Sequence, residues 1–169
     1  MKTLIALILV AVMAVSMVAC GSKAADKAPL EGTMEENVMK IMEIAPVEFM
    51  GGAIPVDLAD NDSVFYFTGL SSAENITDVS VYEPMMGSQA FSLVMVRTAE
   101  GADPKAVAEE MKAGIDPRKW ICVGADEIMA AGYGDTVMFI MLDSQLGLSA
   151  QSYVDAFAQV AGAELDFTI

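Results

Sequence analysis

The chain has 169 residues, 24 of them acidic and 9 basic, a formal charge of −15 at pH 7, and no histidine. So acidic a surface repels phosphate backbones and argues against nucleic acid as a partner. The missing imidazole removes histidine general bases, histidine triads and the commonest nitrogen metal ligand.

Residues 1–19 read as an export signal to be removed, with Lys2 as the charged start and an unbroken apolar run from Leu4 to Val15. The junction Met17-Val18-Ala19-Cys20-Gly21 resembles the lipobox of bacterial lipoproteins, with Met17 where Leu is usual. That resemblance implies that Cys20 becomes the first mature residue and carries a diacylglycerol, with palmitate among its acyl chains. A transmembrane anchor is the rival reading, but the run is close to the lower limit of about 17 residues and no basic stop-transfer cluster follows. The expected location is the outer face of the cytoplasmic membrane, in the cell envelope. Loss of Lys2 makes the mature chain one unit more negative, so anionic headgroups repel it and the membrane contact falls to the lipid. With Cys20 committed, Cys122 has no intrachain partner. A domain of this size buries enough apolar surface without a disulfide.

Residues 20–32, with Lys23, Asp26, Lys27 and Pro29, read as a flexible tether, and residues 33–169 as one domain. Thr33 followed by Glu36 is a capping-box spacing, and Met34, Val38, Ile41, Met42 and Ala45 line one helix face ended by Pro46. The Gly- and Asp-rich stretch 47–63 reads as loop, and Val64-Phe65-Tyr66-Phe67 as a strand. Further strands are expected near Ile76–Tyr82 and Phe91–Val96, then a helix capped by Asp103 with Pro104 at its first position. Gly114 weakens the end of that helix and Pro117 stops it. Trp120–Val123 reads as the next strand, Glu127–Tyr133 as another, and Val137–Leu142, apolar on both faces, as central in the sheet. Ser149 is expected to cap the last helix, with Tyr153, Phe157 and Val160 inward.

This order predicts an α+β fold: about six strands in a mainly antiparallel sheet with three helices packed on it. The two stretches of strand, turn, apolar strand and helix, ending with the helices from Asp103 and Ser149, hint at a weak internal duplication.

Glu83-Pro84-Met85-Met86, Gln89-Ala90, the strand ending Val94-Met95-Val96-Arg97, and above all Asp116-Pro117-Arg118-Lys119-Trp120-Ile121-Cys122-Val123 form a pattern across residues 34–160. With the leader, this resembles the small uncharacterised bacterial lipoproteins of Gram-positive anaerobes grouped as the domain of unknown function 4358 family. The resemblance implies location and fold kinship, and brings no activity or catalytic residue.

Methionine is abundant, and Met39-x-x-Met42 could offer two sulfurs to Cu(I), although flexible core filler explains most of these side chains better. Met85 and Met86 differ, because they follow a proline in a turn and could form an exposed binding surface. Cys122 lies between Ile121 and Val123 and reads as a buried, inert thiol. Lys119 and Trp120 could hold an anionic or aromatic ligand by stacking, with core packing at a helix-to-strand junction as the competing and better explanation. Asp57, Asp60 and Asp62 are the densest carboxylates but lack the EF-hand glycine and terminal glutamate, so a solvated loop is expected there. No phosphate loop, nucleophile elbow or zinc spacing is present, and no cofactor is implied. The expectation is a non-enzymatic lipoprotein that binds a protein or small-molecule partner. An envelope hydrolase using paired carboxylates, or a Ca/Cu-binding protein, are the alternatives.

Overall fold

The computed structural model describes residues 27–169, so the readings of residues 1–19 as a signal and of Cys20 as a lipid carrier lie outside the described residues. The first helix, α1 (Met34–Ile44), starts where the capping box requires. The Thr33 hydroxyl accepts from the Glu36 N–H, and the Glu36 carboxylate accepts from the Thr33 N–H, satisfying two free donors reciprocally. Val38, Ile41 and Met42 then fall on one buried face.

Next come β1 (Gly51–Pro55), α2 (Asn61–Thr68), β2 (Ile76–Pro84), β3 (Phe91–Thr98), α3 (Pro104–Gly114), β4 (Glu127–Tyr133), β5 (Thr136–Leu142), α4 (Ala150–Ala161) and β6 (Phe167–Thr168). The six strands form one sheet in the order β1-β2-β3-β5-β4-β6, every pairing antiparallel. The fold is therefore α+β, with four helices packed on an antiparallel sheet. As expected, the run ending at Leu142 is central: β5 is buried throughout and lies between β3 and β4.

Strand alternation divides the interior into two cores. Leu93, Met95, Met138 and Ile140 point to the face covered by α1 and α4, whereas Val94, Val96, Val137 and Phe139 point to the face carrying α2 and α3. The helices that follow the two hairpins thus pack on opposite faces, so the hinted duplication repeats the order of elements but not their layer. On the second face α2 approaches α3 closely. A Cβ on Gly114 would lie 2.1 Å from the Gly69 carbonyl oxygen, so Gly114 permits this approach as well as ending the helix.

Several expectations are corrected. Val64–Phe67 is helical: Asp60 caps α2 by accepting from the Asp62 and Ser63 N–H groups, and Gly69 closes it in the left-handed conformation at φ 75°. These end signals outweigh the strand preference of the residues between them. The stretch read as loop contains β1, whose pairing to β2 supplies what its propensity lacks. Trp120–Val123 forms no strand; the Ile121 N–H donates to the Gly87 carbonyl, and the Ala125 N–H to that of Pro117. Ser149 precedes α4 without a side-chain cap, because Glu127 from β4 accepts from the Ala150 N–H at 2.7 Å instead. Residues 27–32 do not run free as tether. Arg97 donates to the carbonyls of Leu30 and Gly32, and Lys27 bridges to Asp166 and donates to the Glu164 carbonyl.

Candidate functional site

The β2–β3 turn lies at one end of the sheet and the β4–β5 turn at the other, because Phe91 pairs with Leu142 and Arg97 with Thr136. Lys27 and Leu30 are held at the β4–β5 end, beside Asp166 and Arg97. At about 3.3 Å per residue, the length of β3 separates the two ends by roughly 25 Å.

Three segments converge at the β2–β3 end. The Met85 N–H donates to the Met50 carbonyl at 2.9 Å, tying the hairpin tip to the start of β1. The bond from the Ile121 N–H to the Gly87 carbonyl at 3.0 Å ties the loop after α3 to the same tip. Met50, Met85, Met86 and Ile121 are 77%, 75%, 65% and 74% exposed. Single exposed apolar side chains are ordinary, but four on three hydrogen-bonded neighbouring segments make this end a candidate surface for binding.

The same hairpin strand and the same loop are joined by a buried ion pair. Lys119 Nζ lies 2.6 Å from Glu83 Oε1, with the two side chains 3% and 14% exposed. Lys119 also donates to the Tyr66 carbonyl at 3.3 Å, and its ammonium stands 4.6 Å from the Tyr66 ring, 5.3 Å from Phe67 and 5.4 Å from Trp120. Burial lowers the Lys119 pKa, and the Glu83 charge opposes that shift. The Tyr66 phenol is raised, first by burial and then by Glu83.

The four residues singled out from the sequence thus fall into two groups. Met85 and Met86 are exposed, while the Lys119 side chain and Trp120 are buried, with the Lys119 ammonium engaged by Glu83. Met50 and Ile121 are exposed at the same end and carry no local sequence signal, because their neighbours are set by hydrogen bonds between segments distant in sequence. Cys122, expected buried, is exposed and holds a left-handed φ of 64°.

Other candidates carry less. Asp60 is an N-cap, with its pKa lowered chiefly by the Ser63 hydroxyl, and Asp57 accepts from the Ala59 N–H; Asp57, Asp60 and Asp62 therefore act in local turn and cap structure. Met39 is exposed and Met42 buried, so their sulfurs do not share a surface. Among the described residues no three acidic or cysteine side chains converge where a metal ion could be held, and no helix is long and apolar enough to cross a membrane. An open depression of about 440 Å³ at the opposite end is lined by Gly101–Lys105, Gly134, Asp166 and Phe167. Its carboxylates are already engaged: Asp103 caps α3, and Asp166 holds Lys27 and the Gly134 N–H. The chain matches no family model, no curated protein and no solved structure.

Proposed function

We propose that this chain is a lipoprotein anchored through Cys20 on the outer face of the cytoplasmic membrane, and that its domain binds a protein partner at the β2–β3 end of the sheet. One observation carries the reading: Lys27, the first described residue, is held by Asp166 at the end opposite the exposed Met50, Met85, Met86 and Ile121. A tether attached there holds the apolar end away from the bilayer, where a partner can reach it. The acidic surface supports the same orientation, since carboxylates repel anionic headgroups. The likeness of the leader and the Lys119–Val123 segment to the domain of unknown function 4358 lipoproteins agrees with this location.

Growth with an alkyne fatty acid tests the anchor: the wild-type chain becomes labelled and membrane-bound, and Cys20→Ser remains unlabelled. Purification of the tagged full chain from detergent-dissolved membranes tests the binding end. A stoichiometric partner is expected with wild type and lost with Met85→Ser/Met86→Ser. Labelling of Cys20→Ser, or undiminished recovery with the double variant, contradicts the corresponding half.

A further inference from the structure

β1 is an edge strand, and its hydrogen-bond phase can be fixed from its two ends. The Val56 N–H donates to the Val79 carbonyl, and the Met85 N–H donates to the Met50 carbonyl. Both pairs belong to the register that sets Gly52 opposite Glu83 and Ile54 opposite Val81. In an antiparallel ladder, hydrogen-bonded pairs alternate with open ones. Residues 50, 52, 54 and 56 therefore face β2, and the backbone groups of Gly51, Ala53 and Pro55 face outward. No other strand of the described residues lies on that side. Pro55 sits at an outward position, where its missing N–H costs no bond to β2. The outer edge thus offers two N–H donors and three carbonyl acceptors.

Edge strands of this kind are ordinarily guarded by lysines, bulges or a covering segment. Here residues 49–56 carry no charge at all, Ile54 is half exposed, and a Cβ on Gly52 would meet nothing within 4 Å. The guard is placed at the ends instead. Glu48 precedes the neutral stretch, and Asp57, Asp60 and Asp62 follow it; all four are exposed, and none pairs with a cation among the described residues.

We propose that β1 takes up an extended polypeptide segment as a seventh strand, and that this segment is uncharged in its centre with Lys or Arg at both ends. The centre would pair with Gly51, Ala53 and Pro55, while its ends would meet Glu48 before the strand and Asp57 after it. A second copy of the chain fits the same edge poorly. Antiparallel self-pairing about Ala53 brings Glu48 of each copy beside Asp57 of the other, like charge against like charge at both ends. This mode of recognition rests on the reading above only in taking the partner to be a polypeptide. The following measurement needs neither the lipid nor Met85 and Met86, so its failure leaves the partner-recovery experiment standing.

The probe is a fluorescent nine-residue peptide of alternating threonine and valine with two lysines at each end, titrated by anisotropy against the full chain in neutral detergent. Saturable binding is expected, at least tenfold weaker for the same peptide with glutamate in place of lysine. Binding should also weaken about tenfold between 50 and 500 mM salt as the end charges are screened. Ala53→Pro removes one outward N–H and none of the β2 bonds, and should lower affinity at least tenfold, whereas Ala53→Ser binds as wild type. If Ala53→Pro fails to fold, a peptide methylated at alternate backbone nitrogens makes the same test on the wild-type chain, and loss of its binding is expected. Equal binding by Ala53→Pro or by the methylated peptide overturns the proposal. So does a wild-type dimer in sedimentation that Ala53→Pro abolishes.

Discussion

Lys119 and Glu83 meet at 2.6 Å under three aromatic rings, although one lies in the loop after α3 and the other near the end of β2. The pair joins the loop carrying Ile121 to the hairpin carrying Met85 and Met86, and so fixes the geometry of the exposed end. Removing one partner leaves the other charge buried and unpaired, which costs about 3–5 kcal/mol. Glu83→Met and Lys119→Met should each lower the urea midpoint accordingly. Lys119→Met/Glu83→Met should lie much closer to wild type than the sum of the two. Additive losses in the double variant would show that the ions do not act as a pair.

Gly69 and Gly114 set how closely α2 can approach α3. Gly114→Ala places a methyl group against the Gly69 carbonyl, which a packed backbone relieves only by shifting, at about 1–3 kcal/mol. Alanine in an exposed helix interior would instead stabilise by up to about 1 kcal/mol. The sign of the change in Tm therefore decides whether the approach is as tight as described.

Cys122 gives a prediction opposite in direction. Its left-handed backbone costs about 1–2 kcal/mol for a side-chain-bearing residue, so Cys122→Gly should raise stability by roughly 1 kcal/mol. The native thiol should also react with a maleimide at the rate of an exposed cysteine. Protection until the protein unfolds would return Cys122 to the buried site expected from its neighbours.

Tyr153 reports on the other core. Its hydroxyl is buried without a hydrogen-bond partner among the described residues, and burial, reinforced by Tyr82, pushes its pKa up to about 12 from the usual value near 10. The folded chain then holds a proton that the unfolded chain gives up. The stabilising contribution is complete below pH 10 and is lost as pH rises through about 12. Tyr153→Phe should flatten that alkaline loss and leave neutral-pH stability equal to wild type or up to about 1 kcal/mol higher. An unchanged alkaline slope would assign the effect to other groups.

What could be read from the sequence was whatever short spacings encode. The Thr33–Glu36 box, Asp103-Pro104 and the apolar run of β5 all work within a few residues, and each marks an element of the structure. β1 could not be read this way, because Gly51-Gly52-Ala53-Ile54-Pro55 has little strand propensity and is held by β2 some thirty residues on. Glu127 capping α4 is likewise a contact across 23 residues. At α2 the aromatic and β-branched run Val64–Phe67 points locally to a strand, and the Asp60 cap and Gly69 at its two ends override that preference. At the exposed end Met85 and Met86 were found from their turn, whereas their neighbours Met50 and Ile121 depend on backbone bonds that only the folded chain reveals.

The proposal that the end opposite Lys27 meets a partner is tested most directly by a photocrosslinking residue placed at Met86 or at Lys105 in the full chain in cells. Met86 is at the β2–β3 end, and Lys105 lies near the β4–β5 turn, at the end that holds Lys27. The account predicts one discrete crosslinked product from position 86, weakened by Met50→Ser, and none of comparable yield from position 105. A discrete product from position 105 with none from position 86 would contradict it.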